Sequence, residues 1–244
     1  MTARAVRAQA TAELRLTLRR GDSVLLTLAI PVGLLVFFSV VTVLPLPSGV
    51  HHAVQFLAPG IIALAVMSTA MVSLGIATGF ERQYGVLKRL GATPLGRPAL
   101  LTAKTAAILA VEVVQLAVLV AVAFALGWAP GRDPGLAVPA VVLATAGFAG
   151  LGLLMAGSLR AEVTLAAANG LYLILLLTGG MVFPLTSLPG PLADVARALP
   201  SAALSSALHG ALGGGPPAGA EPWIVLAAWA VVAPLVAARL FRWE

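Results

Sequence analysis

Six stretches of the chain run almost uninterruptedly apolar, at 24–44, 56–79, 105–128, 136–158, 163–183 and 222–239, and this pattern constrains everything else. Each matches the roughly 20 apolar residues that an α-helix needs to cross the hydrocarbon of a bilayer. A segment immersed in lipid must satisfy its backbone hydrogen bonds internally, so the expected fold is all-α, an integral membrane protein of six transmembrane helices. Composition agrees: 60% of residues are hydrophobic, 10% are charged and the mean hydropathy is +1.02. That is too little charge to solvate a globular surface, and a soluble enzyme is excluded. The first run is expected to be a retained helix. Ser23 to Leu44 exceeds the roughly 7–15 residues of a signal-peptide core, and no Ala-x-Ala follows it. Arg19-Arg20 is followed by Gly21 and Asp22, unlike a twin-arginine export signal.

Basic residues set the orientation. Arg4, Arg7, Arg15, Arg19 and Arg20 precede the first run; Arg82, Lys88, Arg89, Arg97 and Lys104 fall at the connection between the second and third. Arg160 separates the fourth and fifth, and Arg239 and Arg242 close the chain, leaving only Arg132 and Arg197 for the other side. The positive-inside rule then puts both termini in the cytosol. The formal charge of +6 reads as an orientation signal beside anionic lipid heads, and no nucleic-acid partner is expected. Residues 3–20 place Leu14 and Leu18, and likewise Arg15 and Arg19, one turn apart. Residues 1–22 are therefore expected to form an amphipathic helix lying on the inner face, the alternative being a frayed basic tail. Residues 23–244 form the six-span domain, with a cytosolic connection at 80–104 and an external helical hairpin at 184–221.

Several chemistries are missing from the sequence. With no Cys there is no disulfide, thiolate metal site or cysteine nucleophile. A phosphate-binding P-loop needs a Gly-Lys pair, whereas Lys88 follows Leu87 and Lys104 follows Ala103. No His-Glu-x-x-His or Gly-x-Ser-x-Gly occurs, and His51, His52 and His209 all fall outside the run interiors. No metal site, cofactor site or catalytic residue is expected in this chain.

Two segments are informative. The connection FERQYGVLKRLGATPLGRPALLTAK, 80–104, is punctuated by Gly85, Gly91 and Gly96 and broken by Pro94 and Pro98, predicting a short helix over about Arg82 to Leu90. Arg82, Lys88 and Arg89 keep it at the surface while Tyr84, Val86, Leu87 and Leu90 offer apolar contacts. It is either a lever for a soluble partner or an ordinary loop between two spans. The second segment, 177–212, is too long and apolar for a simple loop and too interrupted for a span. Gly179 and Gly180 permit close approach, Phe183-Pro184 ends the fifth run, and Pro189 and Pro191 start a helix on which Leu192, Val195 and Leu199 share a face. A helical hairpin dipping into the outer leaflet accounts for this pattern.

Within the spans Glu112 is the one acidic residue, roughly 12 Å along the helix from Lys104, with Gln115 three residues on. Glu112 either contacts substrate or a proton in a cavity, or is a neutral carboxyl hydrogen-bonded between helices. Asn169, beside Gly170, is either packing glue or a pathway residue.

At these segments the chain resembles the membrane subunits of type 2 ABC transporters of the drug-resistance and polysaccharide-export kind, and is similar to daunorubicin-resistance permeases. The first resemblance rests on Glu81, Gly85, Leu87, Arg89, Leu90, Thr93 and Pro94, the second on Gly179, Gly180, Phe183, Pro184, Leu185, Leu188, Pro189 and Pro200; the chain departs from the pattern at Thr178 and His209. The resemblance implies that Glu81, Arg82, Tyr84, Gly85, Leu87, Lys88, Arg89, Leu90 and Pro94 form a coupling helix seated in a cleft of an ATPase subunit. It implies two copies of that ATPase, which would hold ATP and Mg, and a second copy of this chain or a related permease. The implied activity is ATP-driven export of a hydrophobic, drug-like or lipid-like substrate. The alternative is a stand-alone proton-coupled transporter using Glu112; an intramembrane enzyme is disfavoured by where the histidines fall. Ala-rich composition and the predominance of Arg over Lys suggest a bacterial plasma membrane.

Overall fold

A computed structural model describes residues 3–19, 21–41, 52–91, 96–131, 133–182 and 184–242. Among these residues the chain is helical without a strand. In chain order the α-helices are α1 (Ala3–Arg19), α2 (Gly21–Val40), α3 (Ala53–Met67), α4 (Leu74–Gln83), α5 (Val86–Gly91), α6 (Arg97–Ala125), α7 (Ala137–Ser158), α8 (Ala161–Thr178), α9 (Gly190–Arg197), α10 (Pro200–Leu212) and α11 (Ala220–Leu240). A six-residue π-helical segment, Ser68–Ser73, joins α3 to α4 without a break.

Five helical stretches are long and apolar enough to cross a bilayer: Ala53–Gln83, Pro98–Ala125, Pro134–Ser158, Ala161–Thr178 and Ala220–Leu240. The first expected span corresponds to α2, whose apolar stretch Thr27–Val40 is shorter, and residues 42–44 of that run lie outside the described residues. The second and third helices overrun their apolar runs. The run at 56–79 becomes a helix over Ala53–Gln83, and the run at 105–128 becomes a helix that starts at Arg97. A helix stops where its backbone can no longer bond, not where its side chains turn polar, and here the polar overhang finds partners. The expected connection at 80–104 thus contracts to 84–96. The expected helix over Arg82 to Leu90 is also split: Gly85 has φ +71°, and its N–H bonds the carbonyl of Arg82. That left-handed residue closes α4, and α5 starts anew at Val86.

α3 is the axis of the bundle. Every residue from Phe56 to Met67 is buried, with α2, α6, α7 and α10 packed around it. Between lipid-bathed helices the hydrophobic effect gives little net drive, so close backbone approach supplies the packing energy. α7 provides it on two faces. Gly147, Gly150 and Gly157 run along α11 against Trp229, Pro234 and Phe241, while Gly152 lies against the carbonyl of Met71 and the backbone of Gly75. A Cβ at Gly152 would meet main chain that cannot swing away.

α9 and α10 sit between α8 and α11. Pro200 is the first residue of α10, whose side chains are buried along nearly its whole length against α3, α7 and α11. Gly179 packs on Ser201, the close approach read from the Gly pair. On α9 the face shared by Leu192 and Val195 is not the one that packs on the bundle. Ala193 and Ala196 turn inward, whereas Leu192 and Val195 are 43% and 61% exposed. The small residues thus make the contact face, and the larger apolar groups lie on the outside.

Candidate functional site

The most elaborate polar cluster lies where α1 crosses α6. Glu13, the one acid of α1, follows Gln9 by one turn, and the Gln9 amide donates to its carboxylate at 2.9 Å. Facing it, Lys104 of α6 is 2% exposed, and its Nζ donates to Glu13 at 3.0 Å and to Glu81 of α4 at 2.6 Å. A buried ammonium is tolerated only when paired and hydrogen-bonded, and two carboxylates on two other helices meet that need. Lys104, read from sequence as part of a surface connection, is instead the bolt between α1, α4 and α6.

The next two residues of α4 reach other elements. Arg82 Nη2 donates to the carbonyl of Leu159 at 2.6 Å, at the turn between α7 and α8. Gln83 Nε2 donates at 2.8 Å to Glu162 in the first turn of α8. Three consecutive side chains, Glu81, Arg82 and Gln83, thereby tie one helix end to α1 and α6, to the α7–α8 turn, and to α8. Beyond this junction comes α5. Its Leu87 is fully buried, while Tyr84 is 72% exposed, Val86 is 42% exposed, and Lys88 and Arg89 are on the surface. Leu90 is half-buried. Pro94 lies outside the described residues, as does Phe183.

Between α1, α2, α4 and α6 the junction opens into a cavity of about 560 Å³. Glu13, Glu81 and Lys104 line one end and Thr27, Thr69 and Ser73 also border it, with apolar side chains of α4 and α6 in the wall. Above Thr69 the polar centre of the bundle divides. Gln115 accepts from Thr69 at 2.9 Å and donates to the carbonyl of Thr27 at 2.8 Å. Glu112, though only three residues away, turns to α7, where Thr145 Oγ1 lies 2.6 Å from its Oε2 and 2.8 Å from the carbonyl of Val141. A hydroxyl has one hydrogen to give, so a carboxyl that donates to Thr145, which then donates to Val141, satisfies the hydroxyl, while Glu112 Oε1 has no partner among the described residues. Both Glu112 and Gln115 are 1% exposed. Asn169 is elsewhere, exposed on α8 and bonded to its own helix at the Leu165 carbonyl.

A separate cluster fixes α10. His209 is 6% exposed; its Nε2 lies 3.0 Å from the carbonyl of Phe56, its Nδ1 2.8 Å from that of Ser205, and its ring packs on Phe56 at 4.7 Å. Burial pushes the imidazole pKa below its ordinary value, against the raising effect of the two carbonyl contacts. The Ser205 hydroxyl donates to the carbonyl of Gly180 at 2.8 Å, joining α10 to the turn after α8. Of the hairpin residues singled out from sequence, Leu185 packs on Gly180, Pro184 is half-buried and Pro189 is exposed before α9.

The structure therefore brings Glu81 and Arg82 into one junction, buries Leu87 beside it and turns Tyr84, Lys88 and Arg89 outward. Sequence reasoning missed Glu13, Lys104, Gln83 and Glu162. The available signal was a lone acid inside a basic, Ala-rich segment, and a lone lysine one helical turn from Leu100 and Ile108, both buried. Residues 4–212 match the family described as ABC-2 type transporter. No curated protein matches the chain.

Proposed function

Because the chain belongs to the ABC-2 type transporter family, whose members are non-catalytic membrane components of ABC transporters and generally work with an ABC ATPase, we propose that it is the permease half of an ATP-driven exporter of hydrophobic molecules. The chain is a multi-pass membrane protein. In the proposed arrangement α2 is a sixth span, both termini and α5 face the cytosol of a bacterial cell, and α1 lies along the inner interface. α9 and α10 form the external hairpin. Two copies of the chain, or one with a related permease, make the pathway, and two ATPase copies hold ATP and Mg.

The observation that carries this reading is the junction beneath α5. Tyr84, Val86, Lys88 and Arg89 stand outside the apolar bundle, while Glu81, Arg82 and Gln83 immediately before them bond to three different parts of it. A soluble partner that gripped α5 would move α4, and α4 would not move alone. Such differential contact in two nucleotide states is what converts closure of the partner into a shift of the spans.

The test is co-expression with the ABC ATPases of the organism that encodes this chain. One of these is expected to copurify with it, and Leu87→Asp, which puts a charge where a fully buried anchor sits, is expected to leave the chain in the membrane while ATP hydrolysis no longer drives transport. Transport at the parent rate by Leu87→Asp, or no pairing with any ATPase, overturns the proposal.

A further inference from the structure

The cavity beside the ion cluster has the dimensions and polarity of a ligand site. Its volume, about 560 Å³, lies within the roughly 300–1,000 Å³ typical of small-molecule pockets. Twelve residues of nearly continuous helix separate Thr69 from Glu81, so the space is elongated, roughly 18 Å from end to end. Val72, Ile76, Ala77, Ile108 and Val111 make its middle apolar.

The end at Glu81 decides what fits. The side chain of Lys104 is 1% exposed, whereas those of Glu13 and Glu81 are 12% and 16% exposed. The cluster therefore hides its ammonium more deeply than its carboxylates, and the two acids with one lysine leave that end of the cavity with a net formal negative charge. Phe80 and Tyr84, both lining it, stack at 6.1 Å, and their ring faces favour a cation. An anionic head would meet two carboxylates there, and a purely apolar occupant would strip water from them without compensation.

We propose that this cavity binds a cationic amphiphile taken from the membrane, its positive head at Glu13 and Glu81 beside the Phe80–Tyr84 pair and its apolar part along Ile76, Ala77 and Ile108 toward Thr69. The site lies within a single copy of the chain. That its occupant is cargo rests on the transport reading above; that it binds does not.

The experiment uses the full chain in phosphatidylcholine nanodiscs without any ATPase. Radiolabelled dodecyltrimethylammonium is the probe, empty discs are the blank and dodecyl sulfate is the competitor. Saturable binding is expected, undisplaced by equimolar dodecyl sulfate. Glu81→Gln should weaken it at least tenfold. Ala77→Phe, which fills the apolar middle and touches no charge, should do the same in protein that still elutes as a single species. Unchanged affinity in Ala77→Phe, or equal displacement by dodecyl sulfate, overturns the site while leaving the pairing with an ATPase untouched. Binding as expected in a chain that pairs with no ATPase would instead sink the transport reading and keep the site.

Discussion

Replacing Lys104 by Met puts the ion cluster under its hardest test. Met approximates the lysine stem and suits the same apolar sleeve, but it leaves Glu13 and Glu81 facing each other without the ammonium now 3.0 and 2.6 Å away. Removing one partner of a buried pair costs about 3–5 kcal/mol, chiefly because the other charge stays desolvated. With 12% and 16% of their side chains exposed, these carboxylates keep some water contact, so the lower figure of about 3 kcal/mol applies. In a chain of this size each kcal/mol moves the melting temperature by about 2–4 °C, giving an expected drop of about 6–12 °C. The assay is thermal unfolding of the purified chain in a neutral detergent at one fixed scan rate, since membrane proteins unfold irreversibly. A triple variant adding Glu13→Gln and Glu81→Gln should recover most of the loss, because neutral groups of the same shape carry no stranded charge. A single variant melting within about 2 °C of the parent, or a triple variant no better than the single, would refute the reasoning.

Three further substitutions probe separate parts of the bundle. Glu112→Gln keeps a hydrogen-bond donor for Thr145 at 2.6 Å, so it should melt close to the parent and leave the pH profile of transport as it was; a lost acid limb would instead identify Glu112 as a proton carrier. His209 is held by burial below its ordinary pKa, so the unfolded chain binds the extra proton first, and stability should decline as pH falls below about 6.5. In His209→Gln that part of the decline should vanish, and melting curves at pH 7.5 and 5.5 on parent and variant compare the two directly. Gly152→Leu would drive side-chain carbon into the Met71 carbonyl and the Gly75 backbone, costing at least about 1–3 kcal/mol. Failure of the Gly152→Leu chain to lose thermal stability would mean that α4 and α7 are not locked at that crossing.

The helices and their number of apolar runs were legible because lipid exposure leaves a continuous signal that needs no knowledge of neighbours. Glu81, Gly85 and Leu87 were legible as a local pattern, and in the structure Glu81 is an ion partner, Gly85 a left-handed stop and Leu87 a buried anchor. What local pattern does not encode is which lone polar residues meet. Glu13 and Lys104 are 91 positions apart, and Gln83 and Glu162 are 79 apart, so no local pattern could pair them before packing placed each opposite its partner. Local pattern grouped Leu192 and Val195 on one face of α9 but did not say which face packs inward; Ala193 and Ala196 take that place. Trp128 followed suit. Its place at the end of a span suggests an interface anchor, yet it is 4% exposed and packs on Phe124 at 5.4 Å.

How a push on α5 would travel depends on how the helix through α3 and α4 is held along its length. At its α5 end it is stiff. Contacts of 2.6 to 2.8 Å from Glu81, Arg82 and Gln83 point to three elements, so any displacement large enough to break one strains the others, and α6, the α7–α8 turn and α8 follow it. α11 comes along through the glycine seam of α7, which has no slack for sliding. In the middle the same helix changes its winding, for Ser68–Ser73 is a π-helix, a form often found at functional sites, and Met71 within it packs closely on Gly152 of α7. That segment borders the cavity through Thr69, Val72 and Ser73 and touches Gln115. A force applied at Tyr84 thus meets the polar junction first and the π-helical segment about 15–25 Å further on, beside the proposed cargo space. In the proposed arrangement, motion imposed on α5 would therefore reach the proposed ligand site through α4 and the π-helical segment that borders it.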